Sequence, residues 1–264
     1  MTMQGPSRPV LLAVEGGVAT ITLNRPQRRN ALDFSLVHAL AEAVQQVEID
    51  PSVRVLMIRG AGAAFCSGGD LAYFHGQGDK LGPSVDSLLR TLHVALLRLT
   101  AMAPLCITCV HGAAAGAGLS LAMAADFCIA ADDATFWPSY ARLGVTPDGG
   151  GTFNAVRLLG VRKAMQLFLM EEKLSAAEAQ SFGLVSRVVP ADGFDTACRG
   201  FAERMATLDA EAVQRTRVLL RAAARANYAD HLEIESGTFV QLVQRPVTRH
   251  AIEAYVAASR EPRT

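Results

Sequence analysis

"HGAAAGAGLSLAMAADF", residues 111–127, decides how the chain is read. It follows "LCITCV" (105–110), an apolar, β-branched run that reads as a strand buried on both faces. Small residues take over at Gly112, and Leu119, Leu121 and Met123 then mark a helix running to Asp126, beyond which "FCIAA" (127–131) begins another strand. Strand, small-residue loop, helix, strand is the order of an α/β protein. It occurs earlier as well, where the buried strand "VRVLMIRG" (53–60) runs straight into "GAGAAFCSGGDL" (60–71). Twice, then, a strand delivers the chain to a glycine-rich loop.

Working outward, "PVLLAVEGGVATITLNRP" (9–26) reads as a hairpin turning at Glu15-Gly16-Gly17. Asp33 is placed to cap a helix whose Leu36, Leu40, Val44 and Val47 recur at helical spacing until Asp50-Pro51 stops it. Residues 72–86 are polar and glycine-bearing and read as a mobile segment before helical periodicity resumes in "VDSLLRTLHVALLRLTAM" (85–102). Ser175 and Glu178 form a capping box, Gly183 closes the short helix they open, and "LVSRVV" (184–189) reads as a strand. From about Asp195 onward the pattern is helical without a strand signal. The expected division is therefore a core over residues 1–194 and a C-terminal helical region over 195–264, whose Phe239, Val240, Leu242 and Val243 ask for a second surface to pack on.

Composition narrows the function classes. The 264 residues are 50% hydrophobic and 19% charged, enough for a large buried core. Lys plus Arg and Asp plus Glu are 25 each, so no overall field attracts nucleic acid or an anionic membrane. The opening "MTMQGPSRPV" lacks a basic stretch followed by a long apolar one, and no run has the length of a membrane span; the expected location is the cytoplasm. Five cysteines at irregular spacing make no disulfide framework. Cys106 and Cys109 spell C-x-x-C, but on a strand they point to opposite faces and no second pair exists, so they read as buried thiols and no metal is expected.

Glycine loops after strands often hold phosphates, and here neither nucleotide motif fits. Gly112, Gly116 and Gly118 do not satisfy G-x-G-x-x-G, and no P-loop is present. Ser67 is not in a G-x-S-x-G elbow, because Phe65 stands where the first glycine belongs. Main-chain N–H groups freed at two such loops can instead converge on a carbonyl oxygen and stabilise the oxyanion or enolate formed from it. The same glycines also serve tight turns, and spacing alone leaves both readings open.

Five segments in order resemble the crotonase, or enoyl-CoA hydratase/isomerase, superfamily: "LNRPQRRNAL" (23–32), "GAGAAFCSGGDL", "HGAAAGAGLSLAMAADF", "RLGVTPDGGGTFNAVRLLG" (142–160) and "AEAQSFGLVSRVV" (177–189). The resemblance runs from about Val10 to the C-terminus. It implies an α/β fold, a crotonase-like spiral of β-β-α repeats followed by a C-terminal helical trimerisation region, in homotrimers or hexamers. It implies an acyl-CoA substrate, with coenzyme A as part of that substrate and no separate cofactor. By resemblance the N–H groups of Gly69 and Ala117 form the oxyanion hole, while main-chain groups around Arg28, Ser67, Asp70 and Leu71 hold the CoA. The Arg28 and Arg29 side chains either reach CoA phosphates or form a solvated charge run.

Departures from the family pattern indicate the chemistry. The two glutamates with which the family's hydratases deliver water align with Ser120 and Tyr140, and neither is a carboxylate. Asp148, in "GVTPDGGGT" (144–152), stands where the resemblance places an acid in ring-epoxide and dienoyl-CoA isomerases. Proton transfer by Asp148 through an enolate, shifting a double bond, is the favoured reaction, with Tyr140 lining the acyl pocket or the core and Ser120 packing its helix. Asp148 also suits a cap for the helix starting near Gly150. A second reading is an acyl-CoA or aryl-CoA hydrolase or dehalogenase with Asp148 as nucleophile and His93 as base, against which His93 reads as a core residue between Leu92 and Val94. A weak or atypical hydratase and a non-catalytic CoA- or RNA-binding relative complete the alternatives.

Overall fold

The protein is described by a computed structural model over residues 8–258. Two compact units divide between Thr207 and Leu208. The first is built on a six-stranded sheet. Its strands are β1 (Val10–Glu15), β2 (Val18–Leu23), β3 (Val55–Gly60), β4 (Leu105–Val110), β6 (Phe127–Ala131) and β9 (Arg187–Val189), adjacent in that order. β1 and β2 form the antiparallel hairpin read from the sequence, and every later pairing in this sheet is parallel. All six residues of β4 are buried, as a central strand covered on both faces requires.

A second sheet of three strands, β5 (Ala113–Ala115), β7 (Thr135–Trp137) and β8 (Leu174–Ser175), has no counterpart in the sequence reading apart from the resemblance. Ala113–Ala115 lies inside the stretch taken as a loop. Three alanines carry little β preference, and only pairing with β7 makes them a strand.

The helices agree more closely. The Asp33 side chain accepts from the Leu36 N–H and caps α1 (Phe34–Ile49), whose Leu36, Leu40, Val44 and Val47 are buried. The capping box of Ser175 and Glu178 opens α6 (Ala176–Phe182), and Gly183 ends it. Residues 72–86 depart from expectation. They hold α2 (Leu71–His75), a 3-10 turn (Gly78–Lys80) and the start of α3 (Leu81–Ala101), because Asp70 caps α2 and the Ser84 hydroxyl donates to the Gln77 side chain. These side-chain hydrogen bonds organise a segment that composition alone reads as mobile.

α4 (Ala117–Met123) and the kinked α5 (Gly151–Met170) pack on one another, and α7 (Phe194–Ala206) lies against β2, β3 and β4. α7, grouped by the sequence with the C-terminal helices, thus belongs spatially to the first unit. Arg59 of β3 meets Asp195 at 3.0 Å and Phe127 meets Phe201 edge-on, with ring centroids 5.5 Å apart.

The second unit comprises α8 (Ala210–Ala223), α9 (Tyr228–Val243) and α10 (Pro246–Ala258). Arg245, just beyond α9, donates from its two terminal guanidinium nitrogens to the carboxylate of Asp209, the cap of α8, at 2.7 and 2.9 Å. Phe239 and Val240 are exposed, as the sequence suggests. No described helix is long and apolar enough to cross a membrane.

Candidate active site

Three segments meet beyond the ends of β3 and β4. The first, Cys66–Leu71, is held in two directions. The Ser67 N–H donates to Arg29 O, Leu32 N–H to Gly68 O and Asp70 N–H to Leu32 O, while Cys66 N–H donates to Ala113 O and Ala115 N–H to Cys66 O. Gly69 falls between these bonds, and among the described residues its N–H has no acceptor. The second segment is the turn into α4. Gly116 caps it without a side-chain bond, and the N–H of Ala117, the first helical residue, also finds no acceptor there.

These two N–H groups are brought close by small residues. A β-carbon on Gly68, where φ is +93°, would stand 2.8 Å from Ala115 O and 3.4 Å from Ala117 N, so only glycine lets the loops meet. Both donors named from the resemblance therefore lie on adjoining backbone with free N–H groups, as an oxyanion hole requires.

The third segment runs from Tyr140 to Gly150. Tyr140 is buried, and its hydroxyl donates to Asp148 Oδ1 at 2.7 Å. Ser120 Oγ of α4 lies 3.2 Å from the same hydroxyl. Gly149 packs against Ser120 and against Leu92 and Leu96 of α3. Burial, and then the Asp148 carboxylate, push the Tyr140 hydroxyl far above its usual titration range. Cys66 is also within electrostatic reach of Asp148; burial pushes its thiol up to about 12, the carboxylate adding to the effect and a backbone hydrogen bond with Gly68 opposing it. The carboxylate thus sits near the glycine loop with no cation beside it among the described contacts.

The alternative role for Asp148, capping the following helix, is not what its side chain does. α5 starts at Gly151 with Gly150 as an uncapped N-cap, and only the Asp148 carbonyl accepts from Gly151 N–H. The side chain goes to Tyr140. His93 is a correction of another kind: it is exposed on α3 rather than part of the core, and no hydrogen bond or ion pair joins it to Asp148 among the described residues.

The residues assigned to CoA are scattered in character. Arg28 and Arg29 are exposed, Ser67 is half-buried, and Leu71 is exposed at the start of α2. The Asp70 side chain is structural: it accepts from the Tyr73 N–H at 3.1 Å and pairs with Arg25 at 3.1 Å. Although burial pushes its carboxyl up, the Tyr73 N–H and the Arg25 guanidinium outweigh burial and hold it below the usual carboxylate range.

Three supporting residues escaped the sequence reading. Arg25 bridges Asp70 and Asp33, the latter at 2.9 Å. Asn30, fully buried with φ +56°, accepts from Arg25 N–H and donates to Ala61 O and Ala64 O, tying the "NRPQRRN" turn to the glycine loop. Glu171, buried at φ +51°, accepts the Ala141 N–H at 2.6 Å and pairs with Arg142 at 3.2 Å, anchoring the Tyr140 turn. An Asn before a small residue at the end of a charged turn is a detectable signal; Glu171, distant in sequence, gives none.

Residues 13–262 match the family model described as enoyl-CoA hydratase/isomerase. The chain belongs to that family. Within this crotonase superfamily it is 34% identical over 244 residues to a probable enoyl-CoA hydratase of Rhodobacter capsulatus, covering 92% of this chain and 93% of that one. It is 38% identical over 201 residues to the 1,2-epoxyphenylacetyl-CoA isomerase of Escherichia coli, covering 75% and 76%. Among solved structures, a putative enoyl-CoA hydratase from Thermobifida fusca in complex with acetoacetyl-CoA superposes with a TM-score of 0.83 at 31% identity, covering 89% of this chain and 95% of that one. The two sheets and the paired glycine loops are thus those of the crotonase fold, and the resemblance read from the five segments holds.

Proposed function

We propose that this family member is an acyl-CoA isomerase in which Asp148 moves a proton between carbons of an enoyl-CoA while Gly69 and Ala117 hold the thioester oxygen. The thioester carbonyl accepts both N–H groups, and the Asp148 carboxylate takes a proton from C2 or C4. The electron pair left behind spreads into a dienolate whose charge rests on that oxygen. Return of the proton at the other carbon re-forms the carbonyl and leaves the double bond shifted, with no atom gained or lost.

The observation that carries this reading is the Asp148 carboxylate, held by Tyr140 and within electrostatic reach of Cys66, a residue of the loop that carries the unpartnered Gly69 N–H. The positions aligned with the hydratase glutamates are filled by Ser120 and Tyr140, hydrogen-bonded to one another, so no second carboxylate is present there to deliver water. The isomerase name of the Escherichia coli relative supports this reaction, and the acetoacetyl-CoA complex of the Thermobifida fusca neighbour, a putative enoyl-CoA hydratase, supports an acyl-CoA substrate. The hydratase names of other relatives favour hydration as the second reading. The hydrolase reading has no support from His93, which lies exposed.

The exposed Arg28 is the side chain offered to the CoA phosphates, and a homotrimer is the proposed assembly. Apolar side chains open to solvent along α5, among them Val161, Met165 and Leu169, support such an assembly.

The test is a panel of 2-enoyl, 3-enoyl and epoxide CoA esters followed by mass and by solvent deuterium uptake. Double-bond migration with deuterium uptake, lost in Asp148→Asn, is the expected outcome. Wild-type turnover in that variant removes Asp148 from the mechanism.

A further inference from the structure

We infer that Tyr140 is a positioning residue for Asp148: its hydroxyl, backed by Ser120, fixes one carboxylate oxygen so that the other is presented to the substrate carbon. The inference rests on the reading of Asp148 as the base.

Proton counting sets the direction of the chain. The Tyr140 hydroxyl is held protonated, because burial first and the neighbouring carboxylate second push it above a tyrosine's usual range. That single proton is committed to Asp148 Oδ1 at 2.7 Å, since a carboxylate only accepts. Ser120, 3.2 Å from the Tyr140 oxygen, must therefore donate to it. The polarity runs from Ser120 through Tyr140 to Asp148, and each bond strengthens the next. Oδ1 is occupied by this chain. Oδ2 accepts no hydrogen bond among the described residues and is not a buried orphan, which makes it the oxygen free to take a proton.

The scaffold holds the hydroxyl in place. The Tyr140 ring packs against Phe168 with centroids 6.2 Å apart. Its carbonyl accepts from Leu143 and Val145 N–H, and Glu171 accepts from the next residue, Ala141. A phenylalanine would keep the ring packing and lose the hydroxyl, both as donor to Asp148 and as acceptor for Ser120, so packing and positioning are separable by one substitution.

The surroundings also make the pH dependence readable. Among the described residues, Tyr140 and Cys66 are titratable groups within electrostatic reach of Asp148. The first stays protonated, and the second is pushed to about 12, mainly by burial. α4 presents Ser120 and α3 presents Leu92 and Leu96, none of which titrates. A displacement of the acid limb between wild type and Tyr140→Phe is then a readout of the Tyr140–Asp148 contact.

The experiment compares wild type, Tyr140→Phe, Ser120→Ala and Asp148→Asn, reading kcat, KM and deuterium incorporation into an acyl-CoA from pH 5 to 9. In Tyr140→Phe, kcat should fall by roughly tenfold or more with KM within about threefold, and the acid limb of kcat/KM should move up by about one pH unit, since the variant lacks a donor that favours the carboxylate. Ser120→Ala should move both readouts in the same direction by less, and serves alone if Tyr140→Phe fails to fold. A Tyr140→Phe enzyme with wild-type kcat and an unmoved acid limb overturns the inference, as does a change confined to KM, which would mark a pocket-lining residue. Loss of exchange in Asp148→Asn alongside a wild-type Tyr140→Phe leaves the base reading standing and only this inference fallen. An active Asp148→Asn sinks both.

Discussion

Gly118 lies against Cys66 so closely that a β-carbon on it would stand 2.8 Å from the Cys66 β-carbon and nearer still to its carbonyl oxygen. The helix that offers the Ala117 N–H and the loop that offers the Gly69 N–H therefore touch through a residue without a side chain. Neither neighbour can yield cheaply, because the Cys66 carbonyl is tied to the Ala115 N–H and the thiol is fully buried.

Gly118→Ala should accordingly force the two donors apart. A cost of about 1–3 kcal/mol from overpacking is expected, together with a loss of turnover larger than the stability change explains. Gly82→Ala is the control: in α3 a β-carbon there meets nothing within 4 Å, so the variant should be neutral or slightly more stable. Thermal melts and kcat on the same samples check both, and equal effects from the two substitutions would contradict the account.

Asn30→Ala should destabilise by about 2–4 kcal/mol, since it removes three hydrogen bonds and leaves the Ala61 and Ala64 carbonyls without this donor. The measurement is the shift in urea midpoint at constant m-value. Asn30→Asp should be nearly as damaging, because a carboxylate cannot donate to those two carbonyls.

What could be read from the sequence, and what could not, follows the range over which each feature is determined. The six strands of the larger sheet, the Asp33 cap and the Ser175–Glu178 box are set by residues a few positions apart, and periodicity exposes them. β5 is three alanines that become a strand only through β7, some twenty residues on, and α2 exists because Asp70 caps it. The site divides in the same way. The resemblance named Gly69, Ala117 and Asp148, where glycine spacing alone left tight turns and an oxyanion hole both open, whereas the Tyr140–Asp148 bond, the Glu171 anchor and the Arg25 bridge join residues whose proximity only folding creates. Tyr140 is the instructive position, since lining the pocket and packing in the core were its only roles in view before its hydroxyl was seen to point at the acid.

The Asp70–Arg25 pair gives a stability that depends on pH. The folded carboxyl titrates below its ordinary 3.8, so the pair contributes fully above the unfolded value and its contribution is lost as pH falls through the folded one. Asp70→Asn keeps a side-chain oxygen for the Tyr73 N–H but loses the ion pair. The variant should be less stable than wild type at pH 7, and the difference should narrow as pH drops below about 4. Denaturant unfolding at a series of pH values checks this; a difference constant down to pH 3 would mean that the charge of Asp70 contributes nothing.

All five cysteines are free thiols, and each is buried. Burial pushes Cys66 and Cys128 up to about 12, with a backbone hydrogen bond pulling Cys66 and the Thr108 hydroxyl pulling Cys128 the other way. Cys109 is pushed well above its usual value by its contact with Cys198 and then by burial. Since the thiolate is the reactive form, the native protein should be inert to an aromatic disulfide reagent at pH 8, and activity should be insensitive to it. In denaturant all five thiols should titrate. A native thiol that reacts within seconds, with activity lost in step, would place a cysteine in the chemistry and count against the proposed role of Asp148.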